Sequence, residues 1–290
     1  MLSPPNPRIR SRQIGPSDID GVVDLLARGF RLRSRDYWRR ALEKLGSHPA
    51  PAGLPKYGYL LDNGGTPVGV ILLIFSAIPA GGALTTRCNV SSWYVEPAFR
   101  SHAPMLISQA IKHKNVTYVN ISPAAHTRPI VEAQGFARYS NGQFVTVPAF
   151  SRACHEPATV VGIETRPDAQ FEPSELELLT AHKEYGCVSL WCVTSGRAHP
   201  FVFMLRVVKG VIPCTQLIYC RDIEDFVRFA RPIGRHLARR GRPIVIIDSN
   251  GSIPGLVGKY FDGKLPKYFK GPERPSFGDL AYTEAIMFGL

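Results

Sequence analysis

The sequence lacks a hydrophobic run long enough to cross a membrane. Its longest apolar segment, Val68 to Phe75 with its neighbours, is well short of the ~20 residues that span a bilayer. The opening residues, MLSPPNPR, also lack the apolar core of a secretory signal. We therefore expect a cytoplasmic protein without a membrane span.

Cysteine is scarce and shows no paired spacing. The six cysteines form no C-x-x-C pair and have no histidine at a spacing suited to zinc. Most of them lie in apolar, strand-like surroundings, where a free cysteine behaves as a small hydrophobic residue. The pattern predicts buried free thiols and no metal site for Cys88, Cys154, Cys187, Cys192, Cys214 and Cys220.

Several catalytic motifs are absent as well. The chain has no G-x-S-x-G elbow, P-loop, H-E-x-x-H or G-x-G-x-x-G sequence. The hydrolase, nucleoside-triphosphatase, zinc-protease and Rossmann-dehydrogenase classes therefore have no support.

Acidic residues are few. The 290 residues include 23 Asp and Glu against 35 Lys and Arg, which gives a formal net charge of +12. Such a balance favours acidic partners: phosphorylated cofactors, acidic carrier proteins, anionic lipid surfaces or nucleic acid. No recognition motif or basic-aromatic stacking surface accompanies the charge, and this argues against nucleic acid.

What the sequence does contain, in its first half, is an alternation of strand and helix patterns. A strand is predicted at 9–14, followed by helices from Ser17 and from Ser34 to Leu45. A hairpin is predicted around Asn63-Gly64, because Asn-Gly accepts the positive φ angles of a tight turn. Further on we predict a strand at 115–121, a helix at 127–134 and a second hairpin around Asn141-Gly142.

The stretch from Cys88 to Leu106 is the centre of this half. It alternates as a strand does up to Val95, and Pro97 ends the strand because it has no N–H to donate. A short basic turn follows, and Pro104 opens a helix. The N–H groups at the start of a helix, beside an arginine and a histidine, form a binding site for an anion such as a pyrophosphate.

The order of strands and helices in this half predicts the fold class α/β, with an α+β mixed sheet and helices on its faces.

This element order, with a Val-x-Pro-x-x-Arg turn before one helix and Gly-Phe after the next, resembles the GNAT superfamily of acyl-coenzyme A acyltransferases. The matching residues are Val95, Pro97, Phe99, Arg100, Gly135 and Phe136. The resemblance implies a splayed sheet and an acyl-CoA co-substrate such as acetyl-CoA. The sequence departs from the family pattern in three places, with Ala103 and Met105 at positions usually held by glycine and Val131 at a position where many members have tyrosine.

The resemblance also implies which residues form the site. A base must take the acceptor's proton and an acid must protonate the departing thiolate. Glu96, or a water held by Ser92 and Asn120, is the candidate base, and Tyr139, Tyr94 or water is the candidate acid. The cofactor-binding residues implied are Tyr94, Val95, Arg100, Ser101, His102 and Ala103; the catalytic ones are Glu96, Asn120 and Tyr139.

The second half repeats the plan in a weaker form. We predict a helix at 174–182, a hairpin at 186–208, a strand at 215–220, a long helix at 223–240 and a strand at 243–248, with further strands around 267–269 and at 281–288. This indicates two GNAT-like domains, each a splayed mixed β-sheet flanked by helices. Their predicted bounds are 1–149 for the thioester-binding domain and 158–290 for a diverged one.

The strand-to-helix turns of the two halves differ in charge. The second turn, Arg221 to Asp225, carries three acids that would repel a pyrophosphate, so the turn from Arg100 to Pro104 is predicted to bind the cofactor. Tyr260, in a predicted short helix, is a further catalytic candidate. The arginine-rich helix at 223–240 is interpreted as a solvated face or as a docking site for acyl carrier protein.

The predicted function is transfer of an acyl group from acyl-CoA to an amine or hydroxyl of a small-molecule or peptide acceptor, most simply as an N-acyltransferase. Two alternatives remain open at this point. One is an N-acyltransferase that takes its acyl group from acyl carrier protein, which a basic surface would suit. The other is a non-catalytic GNAT-like binding or scaffold protein, which the departures at Ala103, Met105 and Val131 would suit.

Overall fold

The computed structural model describes residues 9–80, 83–152 and 156–289. The chain divides into two compact units. Unit 1 contains residues 1–120, 270–272 and 287–290, and unit 2 contains residues 121–269 and 273–286. Both units combine β-strands with helices, and the predicted mixed α/β class is confirmed.

The residues of unit 1 that the structure describes form five strands in the order β1-β2-β3-β4-β5. The first four run antiparallel to their neighbours, and the fifth is parallel to the fourth. The predicted first hairpin is confirmed, with both turn glycines, Gly64 and Gly65, at positive φ. The strands are β1 (Arg10–Gln13), β2 (Gly58–Asn63), β3 (Thr66–Ala80), β4 (Ala83–Val95) and β5 (Thr117–Asn120).

The described part of unit 1 has three α-helices, two of which pack directly on its strands. α1 (Ile19–Gly29) and α2 (Arg35–Ser47) contact each other, and α1 also packs on β3 and β4. Ser34 caps α2 by accepting a hydrogen bond from the Tyr37 amide. α3 (Ala103–Ala110) packs on β2 and β3. Consecutive residues of β3 from Val70 to Phe75 are all buried, so helices cover this strand on both faces.

The described part of unit 2 has seven strands in the order β12-β6-β11-β10-β9-β8-β7. All neighbours are antiparallel except β10 and β11, which are parallel. The strands are β6 (Ala137–Thr146), β7 (Thr159–Gly162), β8 (Val188–Val193), β9 (Ala198–Val208), β10 (Ile212–Cys220), β11 (Val245–Ser249) and β12 (Gly258–Lys270).

The helices of unit 2 cover opposite faces of this sheet. Ser189 Oγ bonds the Leu179 carbonyl of α5 (Pro173–Glu184), whereas Leu190, the next residue of β8, packs against α6 (Ile223–Arg228) and α7 (Ala230–Ala238). Successive strand residues point to opposite faces, so α5 lies on one face and the α6–α7 pair on the other. The short helix α4 (Arg128–Ala133) leads into β6.

Four predictions of secondary structure are wrong. Asn141-Gly142 makes no turn, because β6 runs straight through it and pairs with β11 and β12 along its edges. Glycine is found here because the backbone of β12 approaches closely: a Cβ at Gly142 would lie 2.2 Å from the Phe261 carbonyl oxygen. The helix at 223–240 breaks at Phe229, the predicted short helix around Tyr260 is part of β12, and the predicted strand at 281–288 gives way to a π-helix over Ala285–Gly289.

The compact units do not follow the predicted bounds of 1–149 and 158–290, since residues 121–149 group with unit 2. The division into two GNAT-like domains stays a prediction. Five cysteines are buried, as predicted, and Cys154 lies outside the described residues. Within the described residues, no helix has both the length and the apolar composition needed to cross a lipid bilayer.

Candidate active site

The central feature of unit 1 is a fork between two parallel strands. β4 and β5 pair only at Arg87, Cys88 and Asn89, while β4 continues to Val95. The edge of β4 that faces β5 therefore has no β5 partner from Val90 onward. Because the strands run parallel, their carboxyl ends lie at the same edge of the sheet. Of the predicted site residues, Asn120 directly follows the last pair, at the base of the fork, and Val95 lies at the far end of the unpaired part of β4.

Asn89 lies where the fork opens. Its side-chain amide donates to the Val90 carbonyl at 3.3 Å and to the Val119 carbonyl at 3.1 Å. One buried side chain thus bonds both strands at the point where their backbone pairing ends. Sequence reasoning missed this residue, because a single polar residue in a strand pattern carries no signal of the partner it meets.

Asn89→Ala is expected to lower the free energy of unfolding by about 1–3 kcal/mol, because both carbonyls lose a buried donor. Asn89→Asp is expected to cost more than Asn89→Ala, since it turns a negative charge toward two carbonyl oxygens. Urea denaturation of the two variants against the parent protein measures this order. Equal stability of all three proteins would contradict the role given to Asn89.

The opposite edge of β4 contains a β-bulge. The register with β3 pairs Val70 with Tyr94 but Leu72 with Ser91, so Ser92 and Trp93 together oppose one residue. Ser92 has a positive φ of 47°. A bulge of this kind bends the strand and re-aims its backbone groups next to a site.

Val95 is placed by this register so that its amide faces the fork. The neighbouring Glu96 amide donates to the Val68 carbonyl of β3 at 2.9 Å. Amides of an antiparallel ladder alternate in direction, so the Val95 N–H points away from β3 and toward the β5 side. There it lies beyond the last β4–β5 pair.

The predicted phosphate turn is helical. Residues Pro97–His102 form a 3-10 helix that runs directly into α3. The Ala103 amide donates to the Arg100 carbonyl, and Pro104 has no N–H. Two of the backbone donors expected for an anion are therefore used or missing, while the Arg100 side chain is exposed at the surface. The Ser101 hydroxyl lies 3.2 Å from His102 Nδ1.

Glu96 and Tyr94 both contact the end of α1. Glu96 Oε1 accepts hydrogen bonds from Arg28 Nε at 3.2 Å and Nη2 at 2.8 Å. The Tyr94 ring packs on Gly29, where a Cβ would come within 2.4 Å of it, and lies 6.4 Å from the Phe30 ring. The two bonds to Arg28 fix the position of the Glu96 side chain just after the end of β4.

Tyr139, Tyr260 and Cys88 each have contacts within their own unit. Tyr139 is on β6, in unit 2, and its ring packs edge-on against Phe269 at 6.1 Å. Tyr260, on β12, donates to Asp262 at 3.0 Å. Cys88 sits at the base of the fork, where burial raises the pKa of its thiol well above the ordinary value. It is therefore held as a neutral thiol and is no nucleophile.

The second strand-to-helix turn, Arg221 to Asp225, forms a closed ionic cluster. Arg221 makes two 2.8 Å bonds to the buried Glu175, and His199 Nδ1 lies 2.9 Å from Asp225 Oδ2. Burial raises the pKa of Asp225, but the His199 contact and nearby arginines outweigh burial and hold it below its ordinary value. The cation of this turn is already paired with acids, in contrast to Arg100.

An open cleft of about 670 Å³ also lies on unit 1. It is formed by the start of β1, the β2–β3 turn and the outer face of α3. Its lining includes Arg10, Gly65, Met105 and Gln109 but no residue predicted for the site.

Known proteins resemble this chain in structure, at low sequence identity. No protein-family model and no curated protein matches the sequence. Among solved structures, a GCN5-related N-acetyltransferase from Anabaena variabilis superimposes with a TM-score of 0.57 at 12% identity, over 91% of this chain and 72% of that one. One from Kribbella flavida gives 0.56 at 15% identity, over 91% and 71%. The chain has the GNAT fold. At these identities the similarity shows the fold alone.

Proposed function

We propose that the protein is an acyltransferase that moves an acyl group from acyl-CoA to an amine or hydroxyl of an acceptor. The observation that carries the proposal is the β4 fork with the Val95 amide turned into it, in a chain with the GNAT fold. An extended acyl-pantetheine arm matches such an edge, because its amides can bond the strand groups that β5 leaves unpaired.

The Val95 amide would stabilise the reaction's charged intermediate. When an acceptor nitrogen attacks the thioester carbon, a C–N bond forms and the carbonyl oxygen gains the negative charge. A fixed N–H donor near that oxygen lowers the barrier, because its dipole is already oriented. The bulge at Ser92 and Trp93 sets the direction of this part of the strand.

Proton transfers complete the step. Glu96, or a water held by Ser92 and Asn120, takes the proton of the acceptor as the C–N bond forms. The C–S bond then breaks, and the thiolate receives a proton from Tyr94 or water. Glu96 must loosen its contact with Arg28 or use Oε2, since Oε1 accepts both guanidinium bonds.

The diphosphate of coenzyme A would be held mainly by side chains. Arg100 supplies the charge, and Ser101 and His102 supply donors beside it. The Ala103 amide is already bonded and Pro104 has none, so backbone donors contribute less than at a glycine-rich turn.

Arg100→Ala is therefore expected to weaken acetyl-CoA binding roughly ten- to hundredfold, the range for losing a hydrogen bond to a charged group. Calorimetric titration of the variant measures the loss. Arg239→Ala, which removes an exposed arginine at the end of α7, is the matched control and should bind as the parent does. Equal losses in both variants would contradict the placement of the site.

A second candidate donor is an acyl group carried by acyl carrier protein. The shortage of backbone donors at Ala103 and Pro104 favours it, because a carrier-bound thioester lacks the adenosine diphosphate of coenzyme A. Titration with acetyl-CoA, longer acyl-CoA and free coenzyme A, beside acyl carrier protein, separates the cases. Binding to the carrier alone would replace the coenzyme A proposal. Binding to neither would leave the non-catalytic scaffold.

A further inference from the structure

The β9–β10 hairpin of unit 2 ends in exposed apolar residues. The two strands pair from Phe201 and Cys220 out to Val208 and Ile212, and Lys209 and Gly210 turn the chain with positive φ. The strand interior is buried as far as Met204. Beyond it the side chains are exposed: Leu205 by 41%, Val207 by 60%, Val211 by 77% and Ile212 by 41%.

On β9, the apolar residues that point toward the helices continue beyond the part of the strand that the helices cover. Phe201 and Phe203 of β9 are buried against α6 and α7. Leu205 and Val207 follow at the same two-residue spacing, and so point to the same face of the strand. They are not covered as the phenylalanines are. Ile212, which pairs with Val208, points to the other face, so apolar side chains are exposed on both faces of the hairpin end. Exposed apolar residues grouped in this way mark an interaction surface.

The same end of the sheet carries two more exposed apolar side chains. β10 and β11 are parallel and both begin there, and Val245 of β11 is opposite Thr146, the last residue of β6. Thr146 is also opposite Gly258, the first residue of β12. Phe150, just after β6, and Val257, just before β12, therefore lie at this end, with exposures of 76% and 52%.

The charge around this end is positive on balance, with Glu164 as an acid near Arg240. Residues 198–220 contain no aspartate or glutamate, and Lys209 is in the hairpin turn. Arg242 Nη1 donates to the Cys214 carbonyl of β10 at 3.5 Å, which places this arginine beside the hairpin. Arg239 and Arg240, both exposed, lie between the end of α7 and Arg242.

We propose that this end of unit 2 is a peripheral binding surface for anionic lipid bilayers. Val207 and Val211 enter the acyl-chain boundary, and Lys209, Arg239 and Arg240 contact the headgroups. Apolar insertion and attraction to anionic lipid together bind a protein to a membrane without a spanning helix. This proposal does not depend on the acyltransferase function.

The combination of the two features selects this partner. Nucleic acid would use the arginines but would leave the projecting valines without a role. A second copy of the chain would cover the valines but would bring the same arginines and lysine together, and like charges at an interface are unfavourable. An anionic bilayer uses both features at once.

The test is co-sedimentation with vesicles of phosphatidylcholine and phosphatidylglycerol, against vesicles of phosphatidylcholine alone. The protein is expected to bind the anionic vesicles and to dissociate as salt is raised. The double variant Val207→Glu with Val211→Glu should bind at least about tenfold more weakly, from the loss of two buried apolar side chains. Arg239→Gln with Arg240→Gln should lose about fivefold per charge.

Two control variants change the same residue classes at the opposite end of the strands. Ile130→Glu alters an exposed residue of α4, which leads into the start of β6, and Arg197→Gln alters the β8–β9 turn. Both should bind vesicles as the parent does, and circular dichroism should give all variants the parent's spectrum. All the changes are at exposed positions, so loss of folding is not expected.

Several results would overturn the proposal. The first is no binding to anionic vesicles, and the second is equal binding to neutral ones. The third is an unchanged affinity in the Val207 and Val211 variant, or an equal loss in the control variants. Binding of single-stranded DNA without vesicle binding would assign the surface to nucleic acid. Self-association without vesicle binding, lost on Val211→Glu, would assign it to a second copy.

Discussion

Lys267→Met is expected to lower the free energy of unfolding by about 3–5 kcal/mol, because it leaves a buried carboxylate without its cation. Lys267 Nζ lies 2.9 Å from Asp248 Oδ1, and both side chains are 3% exposed. Lys267 also donates to the Leu265 carbonyl at 3.2 Å, and Gln143 lies 3.5 Å from the same Asp248 oxygen. The pair joins β12 and β11 across β6, within unit 2.

The double variant Lys267→Met with Asp248→Leu separates the net contribution of the ion pair to the free energy of unfolding from the penalty of removing one partner. Replacing a whole buried ion pair by apolar residues removes two desolvated charges and is often neutral or stabilising. We expect the double variant to regain most of the stability lost by Lys267→Met. Guanidinium denaturation of the parent, both single variants and the double variant gives the coupling energy. Losses that simply add would contradict a buried, coupled pair.

Acidification is expected to destabilise unit 1 through His48. This side chain is buried, and its Nε2 lies 3.1 Å from the Phe75 carbonyl oxygen and 2.9 Å from Ser76 Oγ. Burial lowers the pKa of His48 from 6.5 to about 4, against the Phe75 bond, and the charge of Lys56 lowers it further. The folded protein therefore holds a neutral imidazole that the unfolded chain protonates readily.

The sign and the pH range follow from the lowered pKa. Because the folded pKa lies below the unfolded one, the contribution is fully present above pH 6.5 and is lost as pH falls toward about 4. The loss amounts to about 3 kcal/mol. His48→Gln keeps a donor for the Phe75 carbonyl but does not titrate.

The measurement is the free energy of unfolding of the parent and of His48→Gln from pH 7 to pH 4. The parent should lose about 3 kcal/mol more than the variant over this range. Carboxylates with lowered pKa values, such as Asp18 and Asp62, titrate alike in both proteins and cancel in the difference. Parallel curves would contradict a buried neutral imidazole.

Local signals in the sequence were enough to predict the end of β4 and the turn after it. Pro97 cannot extend a strand ladder, and Pro104 suits a helix start, so both boundaries depend on single residues. The Asn63-Gly64-Gly65 hairpin was predictable for the same reason. The same reasoning predicted a turn at Asn141-Gly142, and that prediction was wrong. There, β6 pairs with a strand on each of its edges, and this pairing overrides the turn propensity of Asn-Gly.

The geometry of the fork could not be predicted in the same way. Asn89 gains its role from Val119, 30 residues further along the chain, and Lys267 from Asp248 on another strand. Such partners are set by strand order and register, which a single sequence does not specify. The bonded Ala103 amide likewise depends on the 3-10 geometry of residues 97–102.

The secondary structure of some apolar runs also could not be predicted from the sequence. Residues 281–288 combine alanine, isoleucine, methionine and phenylalanine with few polar residues, a pattern that suits a buried strand or a buried helix equally. The structure has a π-helix there, over Ala285–Gly289. By contrast, the helix at 174–182 has a proline at its start and an acid, Glu175, in its first turn, and it was predicted within a few residues.

Hydrogen–deuterium exchange of the full chain, with and without saturating acetyl-CoA, tests the placement of the thioester on the fork most directly. We predict slower exchange in residues 90–95 and in 100–106, because the arm covers the free edge of β4 and the diphosphate covers the helical turn. Exchange in residues 221–238 should not change. Protection confined to 221–238, or no change in 90–95 while acetyl-CoA is bound, would contradict the proposed site.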